Sequence, residues 1–235
     1  MITAPHSLYF GPRFDAAALS SIGAGEHPRT ENQDNFLMVD IHGRAVFMQN
    51  QQLCETVLAG WPAGHARLAV LDGMGGHGHG REAAEAVVAG LLAMPACLTL
   101  DELSSRLDRL HQQLQAVFGD DSELERRPGT TLPMLELPPG QPALLFHVGD
   151  SRLYKVAGGQ AQVLTVDHVP ATAFAMAGLI GEKEWWQQVH GEHRSQISQA
   201  FILGNAFANP TLLEDPLFPL SADALPPFLR NLPDR

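Results

Sequence analysis

The chain has 235 residues, 45% hydrophobic and 17% charged, a balance that lets it bury a core and excludes extended disorder. Its formal net charge of -11 argues against a nucleic-acid or anionic-membrane partner, since both need clustered lysine and arginine to displace counterions from phosphates. No basic leader and no run of about 18 apolar residues occurs, so a soluble cytoplasmic protein is expected, organised as one domain over residues 1–235 because no linker or charge block divides it.

In chain order, the first polar cluster is "RTENQDNF" from Arg29 to Phe36, which offers Asp34 as a carboxylate. A segment resembling an insertion follows from Ile41 to His65, expected as a hairpin with a long surface loop. "ARLAVL", Ala66 to Leu71, is a short apolar run ending in Asp-Gly, which predicts a buried strand that delivers Asp72 to its carboxyl end. "REAAEAVVAGLLAM" then predicts a helix, halted by Pro95. A second helix begins at Thr99, where Thr-Leu-Asp-Glu forms a capping box and Leu103, Leu107, Leu110, Leu114 and Val117 share one face.

From Ala143 the runs "ALLFHV", "RLYKV" and "AQVLTV" are separated by Gly149-Asp150-Ser151 and by Gly158-Gly159, which predicts a three-stranded antiparallel meander. Strands joined without helices make the class α+β with an antiparallel sheet. Val169 to Leu203 is again helical in pattern, and residues 210–235, rich in proline, are expected as an irregular tail. Cys54 and Cys97 form no C-x-x-C unit and are expected to be reduced.

The chemistry concentrates in "LDGMGGHGHG", residues 71–80. Glycines remove side chains so that a partner can approach the backbone, while Asp72, His77 and His79 retain donor atoms. Gly73, Gly75 and Gly78 fit G-x-G-x-x-G, but Asp72 would face a pyrophosphate with like charge and no acidic strand end follows about 20 residues on, which argues against a dinucleotide fold. No Gly-Lys-Ser/Thr closes a P-loop. A His-x-His pair in a loop is ordinarily solvated, whereas a carboxylate at a strand end beside a glycine turn suits a hard cation such as Mg2+ or Mn2+. One carboxylate does not hold such an ion, so the others must come from the Arg29–Phe36 segment and from "HVGDSRLY" at 147–154.

Five pieces in this order resemble the metal-dependent protein phosphatase family (PPM, or type 2C) in its compact bacterial form. They are Arg29 with Asn32-Gln33-Asp34, "DGMGGH" at 72–77, "GTT" at 129–131, "VGDSRLY" at 148–154 and "LTVDH" at 164–168. The resemblance implies two antiparallel β-sheets packed as a sandwich flanked by helices, with two Mn2+ or Mg2+ ions at one edge. By similarity Asp72 bridges the ions, the Gly73 carbonyl ligates one, Gln33 and Asp34 hold metal-bound waters, and Asp150 helps bind a third, looser ion. It further implies that Arg29 clamps the phosphate and that His77 protonates the departing oxygen, with a metal-activated water as the attacking group. A phosphorylated protein would be the substrate.

The pattern also breaks. The family carries S-D-G-x-x-D and a later D-N pair that complete the metal site, and neither motif occurs in these 235 residues. The resemblance therefore implies either a protein serine/threonine phosphatase or a catalytically impaired relative that binds phosphoproteins and regulates.

Overall fold

The computed structural model describes residues 2–3, 8–23, 30–74, 79–118, 128–190 and 225–230. Two short strands, β1 (Ile2–Thr3) and β2 (Leu19–Ser20), pair with each other. Seven strands form the main sheet: β3 (Asp34–Val39), β4 (Arg44–Gln49), β5 (Gln52–Val57), β6 (Ala66–Met74), β7 (Gly129–Thr130), β8 (Leu132–Leu137) and β9 (Leu144–Val148). Their order is β5-β4-β3-β6-β8-β9, every pairing is antiparallel, and β7 pairs with the end of β6. The α+β class with an antiparallel sheet is thus as the sequence implied.

Alternation along the strands gives the sheet two faces. Leu37, Ala69, Leu71, Leu132, Met134, Phe146 and Val148 face helices α1 (Gly80–Ala93) and α2 (Leu100–Phe118). The helices contribute Ala84, Val87, Val88, Leu91, Leu103, Leu107, Leu110 and Leu114 to this core. Val117, expected on the same stripe, is 71% exposed, and Phe118, one position on, packs against the core in its place. The α2 cap forms as a variant: Glu102 N donates to Thr99 Oγ1 at 3.2 Å, but the Glu102 carboxylate accepts from Leu98 N rather than from Thr99 N.

The opposite face carries Phe36, Met38, Val46 and Met48, covered by Leu8, Phe10, Ala16 and Ala18 from the N-terminal segment. The strands outside the main sheet, among the described residues, are two pairs: β1–β2, and β10 (Tyr154–Ala157) with β11 (Gln160–Val163). The three-stranded meander is corrected accordingly. β9 pairs back onto β8 through Leu132↔Val148, and Gly149 turns the chain away before β10 begins.

The insertion-like segment is a hairpin of β4 and β5 followed by a loop that packs Trp61 and His65 against the fold. Its two-residue turn puts Asn50 and Gln51 in left-handed backbone, at φ 49° and 60°, as the twist of a tight hairpin demands. Further on, α3 (Pro170–Met176), α4 (Glu182–His190) and α5 (Pro227–Arg230) share a small core of Val169, Ala171, Ala175, Trp185, Val189, Leu225 and Leu229. The helix expected over 193–203 and most of the expected tail lie outside the described residues.

Candidate functional site

Register brings the first two predicted ligands together. β3 and β6 pair so that Asp34 stands directly opposite Asp72, and directly opposed residues point to the same face. Both carboxylates are exposed, on the face of Phe36 and Met38 rather than on the helix-covered one. Two acids opposed at a strand end repel each other, so the arrangement favours a cation.

The backbone around Asp72 is fixed from three sides. Thr131 N donates to Asp72 O at 3.0 Å, and Asp72 N donates to Thr131 Oγ1 at 3.0 Å. Gly73 N donates to Gln33 O at 3.2 Å. A Cβ on Gly73 would lie 2.3 Å from Gly80 O and 2.5 Å from Gln33 O, so only glycine lets the start of α1 close against this strand end. The aspartate needs glycine neighbours because a helix terminus and a second strand both press on its backbone.

Asp150 sits half-buried on the turn after β9. Burial first, and then the charges of Asp167 and Asp72, push its carboxyl above the ordinary range, which places it in electrostatic reach of Asp72. The turn itself is held by Ser151, whose Oγ is 2.6 Å from Thr131 Oγ1, and by Gly149, at φ 100°, where a Cβ would meet Thr131 Cγ2 at 2.5 Å. Beneath it lie two imidazoles 5.0 Å apart: His147 Nε2 donates to Ser151 O at 2.9 Å, and His168 Nδ1 accepts from Gly149 N at 3.4 Å. Burial pushes His147 down to about 4 and His168 well below its usual value, so both are neutral supports. Arg152 grips Asp167 at 2.6 Å, tying this turn to the "LTVDH" segment.

Arg29 and His77 lie outside the described residues. Among the described residues, no group of three or more His, Cys, Asp or Glu converges tightly enough to enclose a metal ion. The donor set is nonetheless all oxygen, with two opposed carboxylates and a third nearby, which suits a hard cation held loosely with open positions.

Sequence reasoning missed Arg81. It lies in the first turn of α1, where the helix dipole disfavours a cation, and that oddity was its signal. Its guanidinium reaches Glu31 at 3.2 Å, Glu82 at 2.7 Å and Glu85 at 3.1 Å, bordering a cavity that Asp34 also lines.

No family profile matches the chain. Protein phosphatase PhpP of Streptococcus pneumoniae is 30% identical over 128 residues, 52% of this chain and 51% of that protein. The serine/threonine protein phosphatase PstP of Mycobacterium tuberculosis is 31% identical over 153 residues, 64% of this chain and 29% of that one. The chain thus spans about half the length of the first of these relatives. In fold it resembles the serine/threonine phosphatase of S. agalactiae, with a TM-score of 0.54, 23% identity, and coverage of 80% of this chain and 68% of that one.

Proposed function

The chain is related to the type 2C (PPM) protein phosphatases, and from that premise we propose that it hydrolyses phosphoserine or phosphothreonine in protein substrates with divalent metal ions. The observation that carries this reading is the register of β3 against β6, which opposes Asp34 and Asp72 on one exposed face. In this reading Asp34, Asp72 and the Gly73 carbonyl hold two Mn2+ or Mg2+ ions, and Asp150 serves a third. Bound there, such ions acidify a water and offset charge on the phosphoryl oxygens.

The chain's own groups orient that chemistry. Thr131 clamps the peptide of Asp72 on both its N–H and C=O, so the carboxylate stays aimed while a phosphate enters and leaves. The turn that carries Asp150 is locked by Ser151, His147 and His168, neutral supports that add no competing cation. Arg29 and His77 enter the proposal on the sequence resemblance alone, as phosphate clamp and proton donor to the leaving oxygen.

We further propose a single domain, because Arg152–Asp167 and the His147–His168 contact fasten the main sheet to the α3–α4 segment. No helix among the described residues is long and apolar enough to cross a membrane. Two free cysteines suit a reducing compartment, so we place the work in the cytoplasm, with a phosphorylated protein as partner.

The second reading, a non-hydrolytic phosphoprotein-binding relative, is favoured by one observation: the described acidic groups do not close around a metal. Hydrolysis of an aryl phosphate with added Mn2+, compared between the chain and its Asp72→Asn variant, separates the two. We expect Mn2+-dependent turnover that the substitution lowers at least about a hundredfold, the scale of losing a main electrostatic group. Equal turnover in both proteins would remove the metal mechanism, and no turnover in either would leave the binding role.

A further inference from the structure

Next to the acidic pair lies a cavity of about 200 Å³, lined among others by Ser20, Ile22, Asn32, Asp34, Gln51 and Arg81. We propose that it is a subsite for a basic side chain, lysine or arginine, close in sequence to the phosphorylated residue of the substrate. This deepens the hydrolytic reading and rests on it.

The cavity is a built one. Its walls come from the end of β2, the approach to β3, the β4–β5 turn and the first turn of α1, and polar bonds tie them together. Asn32 Nδ2 donates to Ser20 Oγ at 2.7 Å, and Asn32 N donates to Gln51 Oε1 at 3.1 Å. The left-handed turn at Asn50 and Gln51 is pinned when Asn50 N donates to Glu85 Oε1 at 2.7 Å. This turn, through Gln51, forms one wall of a space far larger than the roughly 15 Å³ a single water requires.

Charge selects the occupant. Arg81 is the cation on the wall, and its guanidinium is already engaged by Glu31, Glu82 and Glu85. With Asp34 given over to metal, three carboxylates still surround one guanidinium, so this wall is net negative and an anion is disfavoured there.

The lining also suits a long amphipathic side chain. Ile22 and Met48 offer apolar surface for a methylene stem, and the buried Asn35 below spends its side chain on Met48 N, Met48 O and Phe36 N. Because Asp34 both lines the cavity and opposes Asp72, whatever fills the cavity neighbours whatever sits at the acidic pair.

The test uses fluorescent peptides bearing a non-hydrolysable phosphonate analogue of phosphothreonine, with lysine, alanine or glutamate at each flanking position, bound to the full chain in Mn2+ and followed by anisotropy. At one position lysine should bind about tenfold tighter than glutamate, the effect of one favourable against one unfavourable charge contact. Glu31→Gln should shrink that ratio to about threefold. Ser21→Trp, at an exposed residue of the cavity lining, fills the space without changing net charge and should erase it. Equal binding of all peptides, or discrimination that survives Ser21→Trp, overturns the subsite. Aryl phosphate turnover read in parallel separates the two ideas: lysine preference without turnover sinks hydrolysis and keeps the subsite, and turnover without preference does the reverse.

Discussion

At the scale of single residues, the positions that matter most around Asp72 carry no charge. Thr131 is fully buried, and one hydroxyl both accepts from Asp72 N and lies 2.6 Å from Ser151 Oγ, so it joins the strand of Asp72 to the turn of Asp150. Thr131→Val keeps the shape but removes the acceptor, and should cost about 1–3 kcal/mol in denaturant unfolding while weakening Mn2+ binding, with Thr131→Ser restoring most of both. Gly149→Ala meets two penalties together, a φ of 100° and a clash with Thr131, and should lower stability by about 2–4 kcal/mol. A melting point unchanged from the parent would show that the turn adjusts freely.

The sequence placed Asp72 near the end of a strand with a helix to follow, as β6 and α1 are. What presses on the backbone there was not legible, since Gln33 and Thr131 arrive from distant stretches and only pairing reveals them. Asp34 opposite Asp72 is a matter of register, and a one-residue slip would have sent one carboxylate to the helix face. Arg81 read as a helix former, and its three glutamates became visible only in three dimensions.

Among the elements, β6 and β8 carry a feature no local pattern announced. Arg67 and Glu136 are fully buried and paired, His65 joins the same carboxylate, and Arg67 also donates to Leu91 O, Met94 O and Pro95 O at the end of α1. The alternating strand pattern predicts apolar residues there, and the competing demand is satisfaction of the carbonyls at the helix terminus. Arg67→Met alone should cost about 3–5 kcal/mol by leaving Glu136 and those carbonyls unmet, whereas Arg67→Met with Glu136→Leu should cost clearly less. Chemical denaturation of the two variants decides this, and equal losses would mean that the pair itself, rather than its partner's isolation, stabilises the sheet. The helix cap was readable in advance because it is local; the β8–β9 pairing was not, because a strand's neighbour is chosen by the whole sheet.

For the whole molecule, the sheet is a plate with one helical face and one face where the acidic pair emerges. Beneath the turn of Asp150 lie imidazoles that must stay neutral. Burial lowers His147 to about 4, while the unfolded chain takes up a proton near 6.5, so below 6.5 the unfolded state binds more protons. The stability owed to neutral His147 is therefore complete above pH 6.5 and is lost as pH falls towards 4, by on the order of 3 kcal/mol. His111, buried on α2 and likewise lowered to about 4, adds to the same window. Thermal unfolding between pH 7 and 4 should show this decline, and His147→Gln should flatten it; parallel profiles would assign the loss elsewhere.

The proposed chemistry depends on Asp34 and Asp72 acting as one cation-binding unit. Anomalous diffraction at the manganese edge from crystals soaked in Mn2+ tests it most directly. We predict density between the two carboxylates that vanishes in Asp72→Asn; ions bound only at other positions, with the opposed acids bare, would contradict it.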